Sequence, residues 1–435
     1  MESAQHYIED ILHSKVANET VVELKGWLYN KRSSGKVKFI EFRDGTGILQ
    51  CVLHKSHTEE AAFAAFDEAE QEASIVIKGK VAQSPRGDWE LHLQELKLIA
   101  PAKDYPITPK EHGPHFLLDR RHLWIRSKKQ MATLRIRAEV IRAARNFFDN
   151  RGFTLFDAPI FTPNACEGTS ELFEIDYFND QKAYLTQSGQ LYAEAGAMAL
   201  GKVYVLGPTF RAEKSKTRRH LTEFWMLEPE VAYLDVDGSM QLAEDMLCDI
   251  VQEVLANRKH ELALLGRSIE ALEKIKKPFA RMHYKEAAEY LEKHSKDNFK
   301  EGMDFGGGDE SILSSLHEQP LFVHRFPKNI KAFYMKEDEA DSKYSLSFDL
   351  LAPDGYGEII GGSERETSLP LLEKKIAEHK LNQADFEWYL DLRRFGNVPH
   401  AGFGMGIERL VAWLCGSSHV RETIPFPRMI TRLTP

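Results

Sequence analysis

The sequence predicts an α+β protein with two folded parts, a small N-terminal β-barrel and a larger domain built on an antiparallel sheet with flanking helices. Short strand-like runs follow one another between residues 20 and 100. The C-terminal part mixes β segments and helices without the regular β-α alternation of a parallel sheet. The chain of 435 residues is also too long for one ordinary core, so more than one domain is expected.

The N-terminal domain is expected over residues 1–100. Runs such as VVELKGWLYN and SIVIKGKVAQ are separated by turn residues, and one helix is expected near residues 58–72. About five short strands in roughly eighty residues predict a small closed barrel, and the oligonucleotide-binding (OB) fold fits that size best. A linker is expected over residues 101–130, because four prolines occur in the stretch APAKDYPITPKEHGP that leads into it.

The C-terminal domain is expected over residues 131–435. Met131 to Asn150 repeats apolar residues at helical spacing, and Gly152 is placed to end that helix. The run FTLFDAPI is read as a strand with Pro159 near its end, where a missing N–H is tolerated at a sheet edge. Residues 236–300 are read as largely helical and charged, without recognisable chemistry.

Composition narrows the class of protein. No apolar run is long enough to span a membrane and the N-terminal residues lack a signal pattern, so a cytoplasmic protein without a membrane partner is expected. The four cysteines form no C-x-x-C pair, which argues against a disulfide framework and a zinc site. A formal net charge of −9 argues against indiscriminate binding to nucleic acid, although basic patches stand at 31–38, 120–129 and 214–220.

The third basic patch joins two strand-like runs into a hairpin. KVYVLGPTF leads into FRAEKSKTRRHLTEFWMLEPE, so Arg211 stands at the end of one strand and Phe224 on the return. If this hairpin has a function, Arg211 is expected to bind an anion. Taken alone, the pattern is explained equally well by a solvent-exposed, charged hairpin tip.

A glycine-rich strand precedes a helix near the C terminus. HAGFGMGIERLVAWLCG has Gly402, Gly404 and Gly406 at period two, which bares one face of a strand to a flat ring, and Arg409 then adds positive charge for a phosphate. The spacing matches neither the dinucleotide fingerprint nor the phosphate loop. By itself the run is also explained by a packing strand.

Paired acids occur on a second predicted hairpin, SFDLLAPDGYGEIIGGSERE. With the turn at Ala352 to Gly357, Leu351 faces Glu358, and Asp349 lies one same-face position further along. That diagonal spacing lets Asp349 and Glu358 share a hard cation such as Mg²⁺. Two exposed acids on a hairpin are the plain alternative.

Together the three patterns describe a nucleotide site on an antiparallel sheet, with Phe224 stacking the base, Arg211 and Arg409 on phosphates, and Asp349 and Glu358 on Mg²⁺. The set resembles the three signature motifs of the class II aminoacyl-tRNA synthetases. The helix, strand and proline after residue 130 resemble motif 1, FRAE with RHLTEF motif 2, and GFGMGIER motif 3. The barrel, with KFIEFRDGTGILQ, resembles that of the aspartyl, asparaginyl and lysyl subgroup.

The resemblance implies an ATP-dependent ligase that uses Mg²⁺. It implies that Arg211 binds the α-phosphate of ATP and that Arg409 binds the γ-phosphate. The adenine is implied to stack on Phe224, with Glu213 at its edge. Gly404 and Gly406 belong to the strand beside which the nucleotide lies. The motif 2 loop is implied to meet the acceptor end of tRNA, through Lys214, Lys216 and Arg218. No side-chain nucleophile is required.

The resemblance also addresses the amino acid. It implies that Glu167, Ser188 and Gln190 hold the substrate's α-amino end and that Arg365 reaches its side chain. Aspartyl enzymes carry a lysine where this chain has Ala193, and a proline where it has Gly189. With Glu228 as an acceptor on the same sheet, the residues favour asparagine and tRNA(Asn) over aspartate.

Three alternatives stay open. An aspartyl enzyme is one, and an asparagine-forming ligase paralogue is another, although the barrel argues against the latter. A nucleic-acid-binding protein without ATP turnover is the third, and motifs 2 and 3 argue against it. Family members pair through the motif 1 helix and strand, so a homodimer is implied.

The barrel is implied to bind the anticodon. Phe39 and Gln50 occupy positions that in the subgroup stack on and hydrogen-bond the central anticodon base, with Arg32 close to the same bases. Phe39 as a barrel core residue is the alternative.

Overall fold

The computed structural model describes residues 6–167 and 171–435. The chain forms two compact units, Met1–Trp124 and Ile125–Pro435, and their boundary lies inside the range expected for the linker. Residues 168–170 of the segment CEGTSELF lie outside the described residues, whereas Glu167, the residue of this segment with a predicted role, lies within them.

The first unit contains a closed barrel of five strands in the order β1-β2-β3-β5-β4. Neighbouring strands are antiparallel except for β3 and β5, which pair in parallel. This confirms the predicted OB-type barrel, and the helix expected near 58–72 is present but shorter. The strands are β1 Val21–Ser34, β2 Val37–Arg43, β3 Ile48–His54, β4 Ser74–Gln83 and β5 Trp89–Ala100. The helices of this unit are α1 Ile8–Leu12, α2 Glu60–Glu68, α3 Pro114–Asp119 and α4 Arg121–Trp124.

The barrel closes around alternating apolar side chains. In β4 the residues Ile75 and Ile77 are buried while Val76 and Lys78 between them are partly exposed, which is the period of two that a half-buried strand requires. Gly79 meets the backbone of His92 so closely that a Cβ would collide with its carbonyl oxygen, so only glycine fits this crossing.

The second unit is built on an eight-stranded sheet in the order β12-β13-β14-β15-β16-β11-β10-β6, antiparallel except for the β12/β13 and β10/β6 pairs. A small three-stranded sheet, β7-β9-β8, accompanies it. The strands are β6 Thr154–Leu155, β7 Phe161–Thr162, β8 Glu174–Asp176, β9 Lys182–Leu185, β10 Lys202–Phe210, β11 Glu223–Ala232, β12 Ala280–His283, β13 Leu321–His324, β14 Ser347–Ala352, β15 Gly357–Glu364 and β16 His400–Gly406.

Ten helices surround these sheets within the described residues of this unit. They are α5 Lys128–Asp149, α6 Gln190–Leu200, α7 Val236–Asn257, α8 Lys259–Leu264, α9 Ile269–Glu273, α10 Tyr284–His294, α11 Gly307–Ser314, α12 Leu369–Glu378, α13 Glu387–Arg394 and α14 Ile407–Cys415. Short 3₁₀ turns occur at Lys328–Ile330, Gln383–Phe386 and Val420–Glu422. None of the helices that the structure describes is long and apolar enough to cross a membrane.

Helix α5 begins three residues earlier than predicted, because the Ser127 side chain caps it by accepting from the backbone N–H of Gln130. It ends at Asp149, and Gly152 follows with a positive φ of 76°. The run FTLFDAPI forms only a two-residue strand, β6, at the edge of the sheet. Pro159 lacks the N–H that a longer ladder would need.

The core of this unit lies between the sheet and helices α5, α7 and α14. Helix α7 buries Met240, Leu247, Ile250 and Val254 in that core, so the region with no recognisable chemistry is a packing element. The three sequence patterns of the predicted nucleotide site fall on neighbouring strands of one sheet, namely the hairpin of β14 and β15, then β16, then the hairpin of β11 and β10. Helix α14 follows β16 directly. The fold therefore brings the predicted nucleotide residues to one face.

Candidate functional site

Two carboxylates converge on the hairpin of β14 and β15. Leu351 pairs with Glu358 as the sequence predicted, whereas a register shift after Leu350 places Asp349 opposite Gly361. A Cβ atom added at Gly361 would lie 3.0 Å from Glu358 Oε1 and 3.5 Å from Asp349 Oδ1. The two acids therefore flank one small space that glycine leaves open.

Each of these carboxylates has a cation beside it. Lys331 Nζ lies 3.0 Å from Asp349 Oδ2, and Arg409 Nη1 lies 2.8 Å from Glu358 Oε2. Burial raises the pKa of Asp349 to about 7, with Glu358 adding to the effect and Lys331 opposing it. Burial acts on Glu358 in the same sense, but Arg409 and Lys331 outweigh it and hold the pKa of that carboxyl below its usual range.

The pair fits a hard divalent cation that takes its remaining ligands from phosphate and water. Carboxylate oxygens are what Mg²⁺ prefers, and it binds through one or two of them together with substrate phosphates. No group of three or more metal-ligating side chains occurs among the described residues. The two carboxylates themselves suit a metal that takes its other ligands from a nucleotide and water.

The predicted ATP residues line one cavity of about 830 Å³. Phe224 lies in β11 opposite Thr209, and the guanidinium of Arg211 is 5.8 Å from the centre of its ring. Arg409, in the first turn of α14, lines the same cavity. The lining also includes Glu213, Glu358, Gly404 and Gly406.

The glycines of β16 serve two different purposes. A Cβ at Gly404 would lie 2.6 Å from the Met226 side chain, so the bare strand lets β11 side chains approach beside the cavity. A Cβ at Gly402 would instead collide with the carboxylate of Glu230. At both positions the space that glycine leaves is filled by side chains of β11, so a flat ring stacked on this strand stays a prediction.

A second cavity, of about 390 Å³, adjoins the first and shares Glu167 and Arg211 with it. The side chains of Ser188, Gln190, Glu228 and Arg365 line it, so the structure brings all the predicted amino-acid residues together. Arg211 Nη2 lies 3.5 Å from Glu167 Oε1 at the junction of the two cavities.

Glu228 is buried and held by its neighbours. The Ser188 hydroxyl donates to its Oε1, and the backbone N–H of Gly189 donates to its Oε2 at 2.9 Å. Burial raises the pKa of this carboxyl, and the two hydrogen bonds oppose that shift. Gly189, noted in the sequence only for the missing proline, thus supplies an N–H that proline lacks.

Arg365 pairs with Glu230, a residue the sequence reasoning missed. Its Nη2 donates to Glu230 Oε2 at 2.8 Å, and its Nη1 donates to Ser363 Oγ at 2.9 Å. Glu230 lies two residues after Glu228 on the same strand, and the alternation of a strand places both on one face. That spacing was the available signal.

Ala193 occupies a core position. It packs with Ala197, Val203 and Val205 in a small apolar cluster between α6 and β10. Val205 pairs with Glu228 across the sheet, so residue 193 is close to the amino-acid cavity but behind its wall. A lysine placed here would have to extend from a packed apolar environment, which carries a cost in folding stability.

The basic loop between β10 and β11 divides into outward and inward cations. Lys214, Lys216 and Arg218 are exposed, as a contact surface for an RNA would require. Arg219 turns inward, where it donates to Glu310 at 2.8 Å and to Ser311 at 2.6 Å in α11. Arg219 therefore fixes the base of the loop, and nothing in its local sequence distinguished it from Arg218.

The three predicted anticodon residues form one cluster on the barrel. Arg32 lies opposite Phe39 in the ladder, with its guanidinium 4.4 Å from the ring centre, and donates to Gln50 Oε1 at 3.2 Å. Gln50 in turn donates to Glu90 at 3.1 Å. Phe39 is partly exposed and lies outside the barrel core, so the core alternative is wrong.

Comparison with known families identifies both parts of the chain. Residues 113–430 match the family described as tRNA synthetases class II (D, K and N), and residues 22–99 match the OB-fold nucleic acid binding domain. The family match covers well over half of the chain.

Similar proteins carry one activity in their names. The chain is 56% identical to the asparagine–tRNA ligase of Sorangium cellulosum over 430 residues, which covers 96% of each chain. It is 52% identical to that of Thermus thermophilus, covering 95% of this chain and 97% of the other.

A solved structure shares the fold over the full length. The asparaginyl-tRNA synthetase of Pyrococcus horikoshii complexed with asparaginyl-adenylate superimposes with a TM-score of 0.93 at 41% identity, covering 100% of both chains. The aspartyl-tRNA synthetase of Entamoeba histolytica is less similar, with a TM-score of 0.81 at 26% identity over 99% of this chain and 93% of that one.

Proposed function

The chain belongs to the class II tRNA synthetases of the D, K and N type, and from that premise we propose that it activates asparagine with ATP and transfers it to the 3′ end of tRNA(Asn). The main support for asparagine as the substrate is that the buried carboxylate of Glu228 lies in the same cavity as Arg365. An amide can donate to the first and accept from the second, whereas a carboxylate cannot donate to Glu228.

The first step is adenylate formation. An oxygen of the asparagine carboxylate attacks the α-phosphorus of ATP, a new P–O bond forms, and the bond to the bridging oxygen breaks so that pyrophosphate leaves. Arg211 neutralises charge on the α-phosphate and Arg409 on the γ-phosphate, and both line the larger cavity. Phe224 stacks on the adenine and fixes the reacting geometry, with Glu213 at its edge.

Asp349 and Glu358 are the residues that would hold Mg²⁺. Their carboxylate oxygens meet around Gly361, beside the larger cavity where the phosphates lie. The metal supplies charge neutralisation to the pyrophosphate when bound. Lys331 and Arg409 keep the two acids oriented toward that space.

Glu167, Ser188 and Gln190 hold the α-amino end of the substrate. This role rests on the resemblance and on their place in the amino-acid cavity, where Glu167 also borders the ATP cavity. A substrate held there directs its carboxylate toward the α-phosphate. The side-chain amide then reaches Glu228 and Arg365. An aspartate in that position would bring an unpaired carboxylate against the buried Glu228.

The second step moves the aminoacyl group to tRNA. A ribose hydroxyl at the 3′ end attacks the carbonyl carbon of the adenylate, a C–O ester bond forms, and AMP leaves. The exposed cations Lys214, Lys216 and Arg218 contact the acceptor end. Arg32, Phe39 and Gln50 of the barrel read the anticodon. The enzyme works in the cytoplasm, where ATP and tRNA are available.

The active form is a homodimer joined through α5 and the segment after it. That segment exposes Leu155, Ile160 and Phe161, and Phe161 alone keeps 55% of its surface accessible. Exposed apolar side chains that adjoin one another in space, as Phe161 and Tyr177 do with ring centres 6.2 Å apart, are a common mark of a protein interface. Light scattering should give twice the 49.8 kDa chain mass, and Phe161→Asp should shift it toward the single-chain mass. A wild-type mass of one chain would contradict the dimer.

The direct test of the function is tRNA charging. Purified protein with ATP and labelled asparagine should aminoacylate a tRNA(Asn) transcript and leave a tRNA(Asp) transcript of matched length uncharged. If neither transcript is charged with asparagine, or if only aspartate is attached, the proposed function is wrong.

A further inference from the structure

Behind the amino-acid cavity lies a buried group of charged side chains that the chemistry above does not use. Glu194 of α6 is at its centre, with Tyr389 and Arg393 from α13 and His400 from β16 around it. The side chains of Glu194, Arg393 and His400 have no exposed surface. Burying charges is costly even when they are paired, so this group calls for an explanation beyond packing.

The two carboxylate oxygens of Glu194 have different partners. Oε2 accepts from Arg393 Nη2 at 2.7 Å and from His400 Nε2 at 2.9 Å, while the Tyr389 hydroxyl reaches both oxygens at 2.8 and 2.9 Å. Oε1 also accepts from Gln190 Nε2 at 3.1 Å. Burial acts to raise the pKa of Glu194, but Arg393 and His400 outweigh it and hold the pKa well below its usual value. Glu194 is therefore an ionised carboxylate that can only accept.

This fixes the orientation of the Gln190 amide. A glutamine amide has a donating NH₂ end and an accepting oxygen end. Since Glu194 can only accept, the NH₂ end of Gln190 must face it, and the oxygen end is directed to the other side. Gln190 lines the amino-acid cavity, so that other side is the side of the substrate.

We propose that Glu194 is a positioning residue, which orients the Gln190 amide so that its oxygen accepts from the α-ammonium group of the amino acid. An ammonium group can only donate, so an amide turned the other way would set NH₂ against a cation. The inference rests on the proposed function, because it takes Gln190 to hold the α-amino end.

The substitution Glu194→Gln should reverse the Gln190 amide. Arg393 Nη2 can only donate to the Oε2 position, so the new amide keeps its oxygen there and places its NH₂ at the Oε1 position. The Tyr389 hydroxyl can accept from that NH₂, and Gln190 must then turn its oxygen toward residue 194. Its NH₂ end is left facing the substrate ammonium.

The test compares asparagine with succinamate, which is asparagine without the α-amino group. In pyrophosphate exchange, Glu194→Gln should raise the KM for asparagine about tenfold, the effect of losing one hydrogen bond to a charged group. The inhibition constant of succinamate and the KM for ATP should stay unchanged. The ratio of the succinamate constant to the asparagine constant should thus fall about tenfold, which a general loss of structure would not produce.

Tyr389→Phe is the matched control, because it removes another hydrogen bond to Glu194 and leaves the Gln190 contact in place. It should not change the ratio. Gln190→Met removes the accepting oxygen directly and should lower the ratio as Glu194→Gln does, which keeps the proposal testable if Glu194→Gln does not fold. The double variant should show no further loss, because Glu194 acts through Gln190.

An unchanged ratio in Glu194→Gln or in Gln190→Met would overturn the inference, as would an equal fall in Tyr389→Phe. An unchanged ratio in Gln190→Met would also remove Gln190 from the residues that hold the α-amino end. The proposed activity itself stands after any of these results, as long as the wild type supports exchange with asparagine. Absence of that exchange in the wild type would overturn the proposed function and the inference with it.

Discussion

Arg211 and Arg409 are the two side chains on which adenylate formation depends most. Because both neutralise phosphate charge that shifts in the transition state, Arg211→Ala and Arg409→Ala should each lose at least about 3 kcal/mol, roughly a hundredfold, in the rate of pyrophosphate exchange. Circular dichroism should show a folded protein, since both side chains line a cavity. Lys374→Ala, at an exposed helical site, is the control. Exchange at the wild-type rate in either arginine variant would remove that residue from the mechanism.

Glu228 decides between asparagine and aspartate in this account. Glu228→Gln keeps the shape of the side chain and removes the buried negative charge, so the penalty against an aspartate carboxylate should fall. The ratio of kcat/KM for asparagine to that for aspartate should decrease by about tenfold or more. This variant is a cleaner probe than Ala193→Lys, because residue 193 lies in an apolar cluster. A ratio equal to that of the wild type would show that Glu228 does not select the substrate.

His324 makes the stability of the protein depend on pH. Burial, with Arg325 beside it, lowers the pKa of His324 to about 4. The unfolded chain therefore takes up this proton first, so the stabilising contribution is present above about pH 6.5 and is lost as the pH falls through 4. The asparagine in His324→Asn cannot titrate. Between pH 7.5 and pH 4 the free energy of unfolding of this variant should therefore fall by about 1 to 2 kcal/mol less than that of the wild type, a figure reduced for the partial exposure of His324.

Chemical unfolding of the full chain at the two pH values measures this effect. His260→Asn, at an exposed position in α8, is the matched control and should behave as the wild type does. The same loss of stability in the wild type and in His324→Asn would contradict the assignment.

Among the secondary-structure elements, the two hairpins of the site were predicted correctly, whereas the exact register within the second hairpin was not. The strand–turn–strand runs at 202–232 and 347–364 show alternation and turn residues, so the sequence predicted both hairpins and the pairing of Leu351 with Glu358. The register shift after Leu350, which places Asp349 opposite Gly361, has no local signal.

Ion pairs between residues distant in the sequence could not be predicted either. Lys331 meets Asp349 from a different loop, and Arg219 meets Glu310 from a helix some ninety residues away in the chain. Such contacts depend on how the whole unit packs. The repeats of 3.6 residues in helices and two residues in strands do not indicate which distant side chains will meet. Glu230 was the exception, because strand alternation after Glu228 pointed to it.

The barrel provides a prediction that separates the two parts of the reaction. The cluster of Arg32, Phe39 and Gln50 lies within the first compact unit, whereas both cavities lie in the second. Phe39→Ala or Gln50→Ala should therefore reduce tRNA charging, with base stacking alone contributing about 1 to 3 kcal/mol. Exchange without tRNA should stay at the wild-type rate. Equal loss in both assays would point to a folding defect and contradict the anticodon role.

At the scale of the whole molecule, the class and the family followed from the order of the motifs along the chain. The OB-type barrel and the antiparallel sheet with flanking helices were predicted from sequence and are present in the structure. The short β6, the separate β7-β9-β8 sheet and the Glu194 group were not. Each of these depends on how distant segments pack, and Pro159 gave only a partial sign of the first.

The choice of asparagine over aspartate is measured by pyrophosphate exchange with the two amino acids side by side, on the same wild-type preparation and without tRNA. We expect exchange with asparagine, and a kcat/KM for aspartate at least about a hundredfold lower, because the site must leave an aspartate carboxylate unpaired beside Glu228. Exchange with aspartate that equals or exceeds exchange with asparagine would contradict this expectation.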